Sequence, residues 1–123
     1  MKDLIITIFG ATGDLTSRKL LPAISKLYTK KEIPEKTMII ALGRRDYSTD
    51  SYVSEMNEMS KNSLDLDTLK KITVYHKMEI TEEADYQSLI DLIHDKRHEK
   101  TRELFYLAIG PELFPVVSKH INA

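Results

Sequence analysis

Two short stretches of this chain combine residue types in an order suited to a phosphate-bearing ligand. The first is Phe9-Gly10-Ala11-Thr12-Gly13-Asp14-Leu15-Thr16. Glycines at positions 10 and 13 let backbone approach an anion closely, because no Cβ intervenes and positive φ is accessible. Where such a turn follows a strand and opens a helix, free N–H groups and the positive helix end favour a pyrophosphate. The spacing is Gly-x-x-Gly-x-x-Thr rather than Gly-x-Gly-x-x-Gly, so the loop alone signals a dinucleotide without saying which. The second stretch is Leu42-Gly43-Arg44-Arg45-Asp46. A site for NAD usually places an Asp or Glu at the end of the second strand, to accept the ribose 2′-hydroxyl. Two guanidiniums there instead suit the 2′-phosphate of NADP, through forked, charge-assisted hydrogen bonds. Asp46 could neutralise one arginine or reach the ribose itself.

Each side chain has a plainer reading beside the functional one. Gly10 and Gly13 are the candidates for pyrophosphate approach, with Ala11, Thr12, Asp14 and Leu15 completing the loop; glycine also simply terminates strands. The Thr12 hydroxyl suits either a phosphate or the turn itself. Asp14 is expected to cap the following helix. Arg44 is the principal side-chain candidate, and Arg45 a second that could stack on adenine. The four histidines form no ligand set. His94 and His98 stand four apart on an expected helix, but no third ligand converges on them, so no metal is expected. His76 and His120 carry no signal. Ser17 has no neighbouring base, and no catalytic residue is identified in these 123 residues. Tyr28, Tyr86, Phe105 and Tyr106 read as core or surface aromatics rather than a base-stacking platform.

The elements that must position these loops follow from the apolar pattern. Leu4-Ile5-Ile6-Thr7-Ile8-Phe9 is an unbroken run ending at Gly10, as expected of a strand buried on both faces. Further strands are expected at residues 37–42, stopped by Gly43; at 72–78; and at 104–109, stopped by Gly110. Leu20, Ala23, Ile24 and Leu27 mark one face of a helix, in which Pro22 is expected to cause a kink or a late start. Ser48-Thr49-Asp50 suggests a cap before a helix over 51–59, and a short helix is expected within 60–71. Thr81 offers a cap for a helix whose buried stripe is Tyr86, Leu89, Ile90 and Ile93, with Lys96, Arg97 and Lys100 at its end. Pro111 suits the first position of a last helix carrying Leu113, Phe114, Val116, Val117 and Ile121. The order βαβαβαβα implies a Rossmann-like α/β three-layer sandwich, its parallel sheet ordered 3-2-1-4.

Composition narrows the function classes. At about 100–200 residues per domain, 123 residues make one domain. With 18 basic and 19 acidic residues the net charge is −1, so no long-range field favours nucleic acid. No apolar run approaches the ~20 residues of a membrane span, and the N-terminal run is too short for a signal peptide. The absence of cysteine excludes a disulfide scaffold and thiolate chemistry, and suits a cytoplasmic setting.

Gly10-Ala11-Thr12-Gly13-Asp14-Leu15-Thr16-Ser17-Arg18-Lys19-Leu20-Leu21-Pro22-Ala23 resembles the cofactor loop of the glucose-6-phosphate dehydrogenase family. That loop reads G-x-x-G-D-L-A, then basic residues, an aliphatic residue, an aromatic and the in-helix proline. Gly43-Arg44 resembles the family's Ala-Arg, whose arginine binds the 2′-phosphate. Asp85-Tyr86-Gln87-Ser88-Leu89 resembles a segment of its third crossover, and Leu104-Phe105-Tyr106-Leu107-Ala108 its F-Y-L-A strand. The chain departs from the pattern at Thr16 (usually alanine), at Leu21 (usually aromatic) and at Gly110-Pro111 (often Pro-Pro).

The resemblance implies an NADP-binding domain, residues 1–123, of an oxidoreductase of the pentose phosphate pathway. The whole enzyme would move a hydride from C1 of glucose 6-phosphate to NADP, with Lys19 reaching toward the substrate and nicotinamide. The base and the substrate-phosphate ligands are expected in a second α+β domain beyond these residues, which would also carry any homo-oligomer contact. The isolated domain is therefore expected to be inactive. Two other classes remain: a stand-alone reductase- or epimerase-like NAD(P) domain, and a non-enzymatic nucleotide sensor. The former commonly uses Tyr-x-x-x-Lys after the fourth strand, where this chain has Tyr106 followed by Gly110.

Overall fold

The computed structural model describes residues 3–61, 64–96, 100–109 and 111–121. Gly110, expected to stop the fourth strand, and Arg97 and His98, expected at a helix end, lie outside them. Four strands, β1 (Asp3–Phe9), β2 (Thr37–Gly43), β3 (Thr73–Lys77) and β4 (Thr101–Leu107), form one sheet in the order β3-β2-β1-β4. All three pairings are parallel. The central strands β1 and β2 are buried along nearly their whole length, which is why they read as unbroken apolar runs.

Side-chain alternation along these strands sorts the core into two faces. Leu4, Ile6, Ile8, Ile39 and Ala41 pack against α1 (Leu21–Thr29), α2 (Thr49–Met59) and α3 (Leu66–Ile72). Ile5, Phe9, Ile40 and Leu42 pack against α4 (Glu83–Lys96) and α5 (Phe114–Ile121). The result is the expected three-layer α/β sandwich with β1 inside the sheet. No helix among the described residues is long and apolar enough to cross a membrane.

Several local expectations change. A π-helical turn (Thr16–Leu20) precedes α1, closed by the Leu21 N–H donating to the Thr16 carbonyl. Pro22 therefore lies in the first turn of a helix that starts late, where its missing N–H costs least. The wide turn takes in an extra residue and rotates α1. Its buried face is Leu21, Ile24 and Ser25, while Ala23 and Leu27 are exposed. On α4 the buried residues are Tyr86, Leu89 and Ile93, and Ile90 sits on the flank, 38% exposed. Helix α2 begins at Thr49 through a reciprocal cap: Ser51 N–H donates to Ser48 Oγ and Ser48 N–H to Ser51 Oγ. Thr81 donates to the Glu79 carboxylate instead of opening α4.

β4 carries an apolar run like those of the inner strands, yet it lies at the sheet's edge. Leu104, Phe105 and Tyr106 are exposed, which leaves an apolar strand edge of the kind that favours association.

The two-faced core makes a simple contrast. Ile39→Ala, in the fully buried centre of β2, is expected to destabilise the chain by about 2–5 kcal/mol. Ile90→Ala, on the flank of α4, is expected to cost less than about 1 kcal/mol. Urea unfolding monitored by circular dichroism reads both.

Candidate functional site

The chain leaves β1 at Phe9 and turns sharply at Gly10, whose φ is +79°. A Cβ there would collide with the Ala108 carbonyl oxygen and lie 2.8 Å from Ile109 Cγ2, so position 10 requires glycine on both conformational and steric grounds. The turn closes through the Gly13 N–H donating to the Gly10 carbonyl at 3.3 Å. Ala11, fully buried, donates from its N–H to the Leu42 carbonyl at the end of β2 (2.9 Å). Its own carbonyl accepts from the Tyr52 hydroxyl of α2 at 2.7 Å. Thr16, also fully buried, donates its hydroxyl to the Gly10 carbonyl at 3.4 Å, and Ser17 donates to the Asp14 carbonyl at 3.1 Å. The loop is thus held by backbone and hydroxyl bonds from its underside, and the hydroxyl of Thr16 has a definite task.

At the end of β2, Met78 N–H donates to the Gly43 carbonyl (2.8 Å) and the Tyr75 hydroxyl donates to the Arg45 carbonyl (2.7 Å). The Arg44 side chain is 78% exposed and, among the described residues, makes a loose ion pair with Glu79, Nη1 to Oε2 at 3.8 Å. Such an exposed pair is worth less than about 1 kcal/mol, so it leaves Arg44 free to take a better anion. Arg45 is engaged otherwise: its guanidinium is hydrogen-bonded to Tyr47, which raises its pKa above the ordinary arginine value.

Between the two loops lies a cleft of about 540 Å³ at the C-terminal edge of the sheet. Gly10, Thr12, Gly13, Gly43 and Arg44 line it, together with Met78, Glu79, Ile80 and Thr81 after β3 and Ala108 and Ile109 beyond the end of β4. This is the edge and the β1/β4 switch point at which open α/β sheets bind ligands.

The sequence candidates divide accordingly. Gly10, Thr12, Gly13 and Arg44 line the cleft, and Ala11 lies buried beneath it. Leu15 is exposed beside the loop. Asp14 was expected as a helix cap, but it lies inside the first helical turn, which the Ser17 N–H closes by donating to the Gly13 carbonyl at 3.2 Å; Asp14 instead pairs with Arg18, Oδ1 to Nε at 2.9 Å. Lys19 is exposed on that turn, outside the lining of the cleft, and Arg45 also stands outside it. His76 bonds to Ser88 Oγ at 3.1 Å, and burial lowers its pKa, so the ring is neutral at neutral pH. Among the described residues no three His, Asp or Glu side chains converge as a metal site.

Three residues beneath or beside the cleft were missed: Tyr52, Tyr75 and Glu79. Glu79 follows the mixed strand β3 rather than the end of β2, where an acidic ribose ligand is sought, so its place beside Arg44 was not signalled. The two tyrosines gave no signal either, since the carbonyls they serve are 41 and 30 residues away in the chain.

A family model described as glucose-6-phosphate dehydrogenase, NAD binding domain, matches residues 7–123. The chain belongs to this family. The glucose-6-phosphate 1-dehydrogenase of Bacillus subtilis is 32% identical over 124 residues, covering 97% of this chain and 25% of its own length. That of Buchnera aphidicola is 52% identical over 59 residues, 48% of this chain and 12% of its own length. A solved structure described as glucose-6-phosphate dehydrogenase in complex with its substrate glucose-6-phosphate superposes with a TM-score of 0.82 at 28% identity, over 98% of this chain and 27% of that one. The Mycobacterium avium enzyme, at 24% identity and a TM-score of 0.79 over 98% of this chain and 26% of that one, shows the same fold. The chain therefore spans about a quarter of the length of the curated relatives it matches over nearly all its own residues.

In this glucose-6-phosphate dehydrogenase-family domain the two loop glycines are not equivalent. A Cβ at Gly13 would meet nothing closer than the Gly10 carbonyl oxygen at 3.5 Å. Gly10→Ala is expected to destabilise the chain by at least about 1–3 kcal/mol, from its positive φ alone. Gly13→Ala is expected to change stability by less than about 1 kcal/mol. Chemical denaturation of the two variants side by side checks the difference.

Proposed function

We propose that the chain is the NADP-binding domain of a glucose-6-phosphate 1-dehydrogenase, positioning NADP to accept a hydride from C1 of glucose 6-phosphate. The observation that carries this reading is Arg44 at the end of β2, exposed on the rim of the cleft where a site for NAD would carry a carboxylate. The residues present fit the cofactor. The cleft has the size of small-molecule sites, its glycine loop presents bare backbone, and a guanidinium with only one weak partner stands on the same rim. Bound there, NADP would supply the hydride acceptor.

The chain's own residues do the positioning. Gly10 and Gly13 let the backbone approach the pyrophosphate, with Ala11 holding the loop from below and Thr12, Asp14 and Leu15 completing it. Arg44 offers a forked donor to the 2′-phosphate. Met78 and Ile80 give the cleft an apolar wall that keeps water from the bound dinucleotide. Lys19, exposed on the π-helical turn, reaches toward substrate held by the remainder of the enzyme, and Arg45 supports Arg44 from outside the cleft. In this reading the proton of the C1 hydroxyl passes to a base in that remainder.

NADP is expected to raise the melting temperature of the chain more than NAD at equal concentration, by mass action on the folded state. Arg44→Ala is expected to remove most of that difference while sparing the effect of NAD, and Lys19→Ala to leave both unchanged. Differential scanning fluorimetry reads all three. Equal stabilisation of the unsubstituted chain by both cofactors, or none by either, would count against the reading.

A further inference from the structure

Three tyrosines pack into one cluster beneath the cleft. Tyr52 and Tyr75 stack with ring centroids 4.9 Å apart, and Tyr47 meets Tyr75 edge-on at 5.5 Å. Tyr52 is fully buried and Tyr75 nearly so. Each of these two sends its hydroxyl to a backbone carbonyl, and the carbonyls belong to the two loops of the site. Tyr52 donates to Ala11 in the glycine loop, and Tyr75 donates to Arg45, both at 2.7 Å.

The Tyr75 bond has a particular place. Arg44 is bracketed by two fixed carbonyls: that of Gly43, which accepts from Met78 N–H, and that of Arg45, which accepts from Tyr75. Its backbone is therefore held on both sides while its side chain remains free over the cleft. The route of the Tyr75 hydroxyl passes directly over Gly43, where a Cβ would lie 2.6 Å from the phenolic oxygen. Glycine at 43 and tyrosine at 75 are thus coupled: the first leaves the space through which the second reaches the arginine loop. Burial raises the pKa of both phenols, so each remains a donor at neutral pH.

We propose that the stacked pair divides the work of cofactor recognition: the Tyr75 hydroxyl, passing over Gly43, is a positioning residue for discrimination of NADP from NAD, and the Tyr52 hydroxyl positions the glycine loop that both cofactors share. This rests on the reading of the cleft as an NADP site. The physical basis is preorganisation. A guanidinium whose backbone is already placed loses less freedom on meeting a phosphate, and only NADP has a phosphate at that position.

The test measures Kd for NADP and for NAD by isothermal titration calorimetry on the 123-residue chain, with urea unfolding of each variant alongside. Tyr75→Phe keeps the ring stack and removes one donor. It is expected to weaken NADP about five- to tenfold, the loss of one hydrogen bond's worth of placement, and to leave NAD within about twofold. Tyr52→Phe is expected to weaken both cofactors by a similar factor and leave their ratio intact. A purely structural role would lower stability without altering the ratio in either variant. Gly43→Ala displaces the Tyr75 hydroxyl and also brings a Cβ to 3.0 Å from Thr12 Cγ2 in the glycine loop, so it is expected to weaken both cofactors and, beyond that, to reduce the NADP:NAD ratio as Tyr75→Phe does. In the Tyr75→Phe background the same substitution is expected to add little further loss of the ratio, whatever it costs both cofactors through Thr12.

If the unsubstituted chain prefers NADP but Tyr75→Phe and Gly43→Ala leave the ratio unchanged, or if their effects on the ratio simply add in the double variant, the positioning role is overturned and the NADP site stands. If the unsubstituted chain shows no preference, the reading of the site fails, and the positioning role with it.

Discussion

The tightest constraint in this domain is the approach of the Gly10 backbone to the Ala108 carbonyl at the mouth between β1 and β4, where no side chain can stand. Around it the ends of three strands are tied together: Ala108 N–H donates to the Phe9 carbonyl, and Ala11 N–H to the Leu42 carbonyl, each at 2.9 Å. The glycine loop therefore cannot drift from the sheet, and the cleft is the space left above a fixed floor. Everything asked of the site depends on that floor, because a loop that wandered would spend its binding energy on ordering itself.

The second requirement is electrostatic, and it is met locally. A net charge of −1 gives the molecule no long-range attraction for a dinucleotide. What an anion would meet is a concentration of donors at one edge: the start of the helical stretch after Gly13, and Arg44, whose ion pair with Glu79 is long at 3.8 Å. Glu79, fixed by the Thr81 hydroxyl at 3.2 Å and standing 3.8 Å from Arg44, keeps the guanidinium over the cleft at little energetic cost.

Much of this was legible in the residues because the relevant physics is local. Strands buried on both faces must be apolar throughout, so β1 and β2 announced themselves, and the turns after them carried the loop glycines and Arg44 in plain order. The parallel order 3-2-1-4 followed from alternation of strand and helix with right-handed crossovers. Other features depend on contacts that no local pattern encodes. The run Leu104-Phe105-Tyr106-Leu107 has the composition of an inner strand, and its place at the edge follows from the order 3-2-1-4 rather than from its own pattern. The buried face of α1 was misplaced because a π-helical turn, invisible to a 3.6-residue period, shifts its phase. Asp14 is no cap because the helix starts one residue earlier than the local pattern suggests, with the Gly13 carbonyl as its first acceptor. Tyr52 and Tyr75 carried no signal of their own, because only the fold brings their hydroxyls to carbonyls of the site.

The central claim is that the dinucleotide lies over the glycine loop with its 2′-phosphate at Arg44. Amide chemical-shift mapping of the isotopically labelled chain, titrated in parallel with NADP and NAD, tests it most directly. The account predicts that both cofactors perturb residues 10–15, and that NADP alone strongly perturbs residues 43–45. Equal perturbation of residues 43–45 by the two cofactors, or changes confined to surfaces away from the C-terminal edge of the sheet, would contradict it.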